Sequence, residues 1–338
     1  MTKLNNDTLV FEFPDTHPNA RLTIEFQRTL RIPDDGKDYL LPPGLGRFPL
    51  RLVDDFKDEV PSEWREHGGA MLPIFQSEAL WLNFRSENVP TQGTYPFAVK
   101  VAAGKMSAVT GRLWQSGLHE KDYLIIPKQP WLDGYVVEKG IIRQFVAAPL
   151  GAGVTVEEQL TGKAEFGGIQ IEVFPMKREA FERHFPVQDR TNISNRRGLL
   201  KSCAVRSRST YDMGLAAGGR MKQQIFEDPY ELEDWDVSHK AQSNRCFVHL
   251  ANSLVWKAIT KQDPPTTPCT SKAYSQAGYP WFDYYVEGAH AVSATSALEG
   301  IKSIGEIAPF LLPENESAVP KVVKNLSPGS PIRDGKWA

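Results

Sequence analysis

Five carboxylates, Asp228, Glu231, Glu233, Asp234 and Asp236, fall within nine residues beside Tyr230 and Trp235, and His239 and His249 follow them. Carboxylates set so close repel one another, which can drive their pKa values apart until one serves as general acid and another as general base. The chemistry would be that of a hydrolase or lyase, with Asp228, Asp234 or Asp236 working through His239 or His249 as proton carrier. Holding a divalent cation is a second use for such a cluster, but no glycine occupies the middle of the run as an EF-hand loop requires. The plain structural alternative is a loop whose acids satisfy backbone donors and offset nearby basic residues.

Other templates each lack a residue. In Gly214–Met221, Arg220 and Met221 stand where a phosphate loop needs Lys followed by Ser or Thr, so the glycines are expected to form a turn. No serine stands in a nucleophile elbow. Cys246 and His249 have the spacing of half a zinc site, yet Arg245 to Leu250 has the pattern of a strand, on which residues three apart face opposite ways. Neither a metal nor a cofactor is therefore expected. What remains is recognition by contact. Trp131, Trp235 and the run Trp281, Asp283, Tyr284 are the candidate anchors, with Tyr230, Arg143 and Arg220 as polar companions, because large rings dominate binding energy when they enter a partner's pocket.

The elements that must position these groups are mostly strands. Leu22, Ile24 and Phe26 alternate, as do Leu80, Leu82 and Phe84, then Phe97, Val99 and Val101, and Ile169, Ile171 and Val173. Val136 to Ala147 is expected as a hairpin around Gly140, and Val154 to Phe174 as a longer reversal. Helices are expected at Met176–Phe185, at Ser253–Thr260 with Asn252 as N-cap, and at Ala294–Ile307. The fold class is α+β, β-rich, with mostly antiparallel or sandwich-like sheet and a few short helices.

The organisation expected along the chain is a flexible arm over 1–20, a β-rich domain over 21–188, a basic connector over 189–212, a smaller α+β domain over 213–310, and an extended tail over 311–338. The connector rests on eight basic residues against one acid between Arg190 and Lys222. Only Tyr211 interleaves with those bases, too little stacking surface for nucleic acid. The whole chain of 338 residues carries 39 basic and 41 acidic side chains, a formal charge of -2, which argues against a protein built to neutralise phosphates. Three cysteines, an odd number, indicate a reducing cytoplasm. No stretch reaches the ~20 apolar residues of a membrane helix.

Three segments carry a likeness: QPWLDG at 129–134, AGGRMKQQIFEDPY at 217–230 and AGYPWFDYY at 277–285. In these the chain resembles a family of uncharacterised bacterial proteins, some labelled integral membrane protein. The resemblance implies no activity, cofactor or site residue, and its membrane label conflicts with the absence of a spanning segment. The expected function is non-catalytic binding or scaffolding with a protein or small-molecule partner, a second copy of the chain among the candidates; the alternative is the carboxylate enzyme around Asp228–Asp236.

Overall fold

In this computed structural model, residues 2–119, 121–187, 212–238, 244–268, 270, 281–284, 290–312 and 323–326 are described. Most of the connector, His239, Cys203, Cys269 and Tyr285 lie outside them.

Alternation sets the first layer. Strand β3 (Arg21–Thr29) buries Leu22, Ile24 and Phe26 completely and turns Arg21, Thr23, Glu25 and Gln27 outward. Two strands precede it, β1 (Thr2–Asn5) and β2 (Thr8–Glu12), joined as a hairpin and added antiparallel to its edge. The expected flexible arm is thus largely sheet: Leu9 and Phe11 are buried core residues, and that burial supplies the order. Next come helix α1 (Ser62–His67), β4 (Ala70–Pro73), β5 (Ala79–Ser86) and β6 (Phe97–Ala103). The expected hairpin forms from β7 (Gly134–Glu138) and β8 (Ile141–Pro149), with Gly140 in the left-handed region at φ 80°.

After it come α2 (Val156–Thr161), β9 (Ile169–Pro175), α3 (Arg178–His184), β10 (Met213–Lys222), β11 (Arg245–Ala251) and α4 (Ser253–Thr260). The reversal expected over Val154–Phe174 contains a helix, because Thr155 and Glu158 form a reciprocal capping box. Asn252 caps α4 as expected, accepting from the Leu254 and Val255 amides. The helix expected over Ala294–Ile307 is instead two, α5 (Ser296–Glu299) and α6 (Ile304–Ile307), with Gly300 closing the first and Ser303 capping the second.

The fold is α+β and β-rich, with a large, mainly antiparallel sheet. In it β3 pairs β5, β5 pairs β8 and β8 pairs β10, while β6, β9 and β11 form a second antiparallel run. The runs meet at Met213 opposite Leu250, and β4 adds parallel to β11. Strands β10 and β11, expected to open a separate smaller domain, therefore belong to the same sheet, and one apolar core extends from Leu9 to Ile301. Of the expected tail, Val323–Leu326 (β13) pairs parallel with Trp281–Tyr284 (β12).

Gly218 and Gly219 correct another expectation. They lie inside β10, not in a turn, and neither has a positive φ. A Cβ on Gly218 would stand 2.5 Å from Val146 Cγ2, and one on Gly219 would stand 2.4 Å from the Pro33 carbonyl. The glycines are there for close packing.

Strands β6 and β9 are buried on both faces and carry charges inward. The Lys100 ammonium donates to the Gln115 and Gly117 carbonyls at 2.6 Å and lies 3.0 Å from Asp122, which ties the following loop to the sheet. Glu157 on α2 does the same for another loop, accepting from the Glu165, Phe166 and Gly167 amides at 2.8–2.9 Å. The buried charges of Lys100 and Glu157 are matched by fixed donors and acceptors, as their desolvation cost demands. Among the described residues no helix is long and apolar enough to cross a membrane.

Candidate functional site

The acidic segment folds into a brace. Asp228 accepts from the Tyr123 hydroxyl at 2.7 Å, from the Trp235 indole N–H at 2.9 Å and from the Tyr230 amide at 2.9 Å. Asp234, buried, accepts from His184 Nε2 at 2.8 Å and from the Arg183 guanidinium. Burial raises the Asp234 pKa, but the hydrogen bonds from His184 and Arg183 outweigh it and hold the carboxyl below its ordinary range. Asp236 accepts from Thr16 Oγ1 at 2.9 Å and from Ser238 Oγ at 2.6 Å. These carboxylates fasten α3 and the first loop to the sheet. Asp228→Asn is expected to cost about 2 kcal/mol, because Tyr123 and Trp235 share Oδ2 while the Tyr230 amide uses Oδ1, so whichever oxygen becomes an amide nitrogen leaves a donor facing a donor. Urea denaturation checks this, and an unchanged midpoint would contradict the brace.

The contact candidates divide by burial. Trp235 and Trp281 are core residues at 0% and 2% exposure, so they are not exposed anchors; Trp235 meets Tyr123 and Tyr230 edge-on, and Trp281 packs against Tyr39. Tyr230 is half-buried against His184. Trp131 is half-buried, edge-on to Trp81 at 6.5 Å. Asp283 is exposed on β12, and Tyr284 pairs through its backbone with Leu326. Arg143 and Arg220 face one another in register across β8 and β10. Arg220 is held by Glu138 through two bonds of 2.8 and 3.0 Å and by Asp38 at 2.7 Å, and Arg143 lies 3.7 Å from Asp34 and 3.5 Å from Glu306. Both arginines are therefore engaged in internal ion pairs.

His249 is placed apart from the brace, in the wall of a small open cleft. Strand period puts Phe247 and His249 on one face of β11, with ring centroids 4.4 Å apart, and puts Cys246 on the other. Helix period brings Trp64 and His67 of α1 over them: Trp64 stacks on His249 at 4.6 Å and His67 on Phe247 at 4.6 Å. The link from α1 to β4 must be glycine at position 69, where φ is 84° and a Cβ would stand 2.1 Å from the Phe247 carbonyl. His249 Nε2 donates to the Gly68 carbonyl at 3.0 Å, which leaves Nδ1 as the acceptor nitrogen.

Burial drives the His249 imidazole down to about 3, so it is neutral at physiological pH. Burial also lowers His67, with the charge of Lys105 adding to the effect. Three carboxylates reach the same cleft from Glu63, Glu165 and Asp212. Glu165 pairs with Lys163 at 3.1 Å, whereas Glu63 and Asp212 form no ion pair within the described residues. Part of Asp212 is open to solvent, yet desolvation raises its carboxyl, and the like charge of Glu63 raises it further. Cys246, buried with its thiol pushed up to about 12, is no nucleophile. Among the described residues no three His, Cys, Asp or Glu side chains converge to hold a metal.

Of the sequence candidates, the structure brings Asp228, Tyr230, Asp234, Trp235 and Asp236 together and sets His249 with residues not singled out before. Glu63, Trp64, His67 and Asp212 carried no motif. Their one legible signal is the helical spacing of Glu63 and His67. Comparison with protein families, with curated proteins and with solved structures gives no match.

Proposed function

We propose that the protein acts by binding rather than by catalysis, and that the cleft beside His249 is its contact site. The observation that carries this is a contrast in engagement. Asp228, Asp234 and Asp236 are each bonded to residues distant in sequence or to buried donors, while Glu63, which accepts from the neighbouring Ser62 hydroxyl at 3.1 Å, and Asp212 face an open cleft without an ion-pair partner in the described residues. The partner is a protein or a small molecule, with a second copy of the chain among the candidates, and the setting is the cytoplasm, in keeping with the odd cysteine count. Kinship with the uncharacterised bacterial family belongs to the same proposal and rests on the three shared segments.

The test uses a substitution that fills the cleft. Leu150→Trp, in the turn that lines it, should abolish stabilisation by a panel of small ammonium, carboxylate and amide probes. In the wild-type protein a probe at a hundred times its Kd adds about 2.7 kcal/mol. If no probe raises the wild-type melting temperature, or if the filled variant responds equally, the cleft is not the contact site.

One observation favours a carboxylate-dependent enzyme as second reading. Buried Asp234 orients the imidazole of His184, which lies 31% exposed with Tyr230 against its ring. A base oriented by a buried carboxylate is the arrangement proton transfer requires. His184→Gln should then remove any turnover found with hydrolase or lyase substrates, and turnover that survives the substitution rejects the pair as its source.

A further inference from the structure

We propose that Lys100 and Asp122 join covalently, forming an isopeptide bond between the lysine Nζ and the aspartate Cγ with loss of one water. The reacting groups are already adjacent and shielded: Lys100 Nζ lies 3.0 Å from Asp122 Oδ2, and the two side chains are 2% and 14% exposed. The amine is aimed. Nζ also donates to the Gln115 and Gly117 carbonyls, each at 2.6 Å. A neutral amine has two N–H donors for those two acceptors and a lone pair for the remaining direction, where Asp122 stands. The carboxylate is held as well. The His119 amide donates to Asp122 Oδ1 at 3.3 Å, so the oxygen that gathers charge when Cγ becomes tetrahedral already has a donor.

A second carboxylate completes the set. Glu172 on β9 stands directly opposite Lys100 on β6 in the antiparallel register, hence on the same face of the sheet. Arg245 Nε donates to its Oε1 at 2.9 Å, and its buried Oε2 meets the hydrogen-bond geometry of no described donor. Burial raises the Glu172 carboxyl against the charges of Arg245 and Lys100, which suits it to pass protons. The reaction is a condensation. The Lys100 ammonium gives one proton to Glu172, the freed lone pair attacks Asp122 Cγ, and the C–N bond forms. Glu172 returns that proton to Oδ2, the nitrogen gives up a second, and the Cγ–Oδ2 bond breaks to release water. Two ammonium protons and one carboxylate oxygen leave together, and nothing is oxidised or reduced. In open water the separate ions are preferred, but here the pair is desolvated and the Trp114 ring, 4.9 Å from Nζ, covers the amine. Turning two buried ions into one neutral amide removes that cost.

The experiment measures the intact mass of the purified full chain by electrospray under denaturing conditions. The expected mass is one water below that of the sequence. Tryptic digestion should yield a branched peptide in which segment 86–105, uncut at Lys100, is joined to segment 122–128. Lys100→Met and Asp122→Ala should each show the full mass, and so should Glu172→Gln, which keeps an acceptor for Arg245. A wild-type chain at the full sequence mass overturns the proposal, and that measurement needs no variant to fold. Water lost equally from Lys100→Met has left another site, such as the Asp133-Gly134 step closing to a succinimide, and overturns it too. Complete condensation in Glu172→Gln overturns the proton relay while leaving the bond.

Discussion

Arg28→Ala is expected to destabilise the protein by about 3–5 kcal/mol, the cost of stranding one member of a buried ion pair. The Arg28 and Glu78 side chains are each 3% exposed. Arg28 Nε and Nη2 both lie 2.9 Å from Glu78 Oε1, the Phe75 amide donates to Glu78 Oε2 at 3.0 Å, and a further Arg28 N–H reaches the Thr267 carbonyl. Burial pushes the Glu78 carboxyl upward, and the Arg28 charge is the main opposition. Without Arg28 the folded protein must bury a bare carboxylate or protonate it. Because the unfolded chain ionises Glu78 freely, the loss should be larger at about pH 8 than at about pH 5.

Guanidinium denaturation at both pH values measures the effect. The double substitution Arg28→Met with Glu78→Leu removes both charges at similar volume and should return to within about 1–2 kcal/mol of wild type. If Arg28→Ala alone costs under about 1 kcal/mol, the pair is not desolvated as the structure has it.

Asp133→Asn should leave stability nearly unchanged at about pH 4 and raise it by about 4 kcal/mol at about pH 8. Asp133, in the QPWLDG segment, is buried, and burial pushes its carboxyl up to about 7, against the bond it accepts from Gln223 Nε2 at 2.6 Å. The direction follows from proton counting. Below about pH 4 folded and unfolded chains both hold the proton. As pH rises toward 7 the unfolded chain releases it while the folded chain retains it, so stability falls over that window and levels off above it. Asparagine matches the protonated acid in shape, can accept from Gln223 through its own Oδ1, and does not titrate. Two stability curves against pH, from urea denaturation, test this. Parallel curves would mean that Asp133 ionises normally in the folded protein.

What the sequence determined by itself was local. A period of two in Leu22, Ile24 and Phe26 selects the buried face of β3, because alternate side chains leave a strand on opposite sides. Asn252 before Ser253–Thr260 caps α4 because its side chain bonds amides two and three residues away. Thr155 with Glu158 was equally legible as a capping box, although the reversal expected around it masked the helix.

The tertiary structure alone decided which groups are free to act. Asp228 meets Tyr123 across 105 positions, Asp234 meets His184 across 50 and Asp236 meets Thr16 across 220, so a cluster with catalytic residue types became a brace. Trp235 and Trp281 went into the core for the same reason, since rings suited to an interface are equally suited to an interior. The cleft gathers α1, the turn at Leu150, the loop at Glu165, the start of β10 and the middle of β11. No period or spacing joins those five places. Burial, charge pairing and cavity shape depend on separations in space, and those exist only once the sheet has closed over its core.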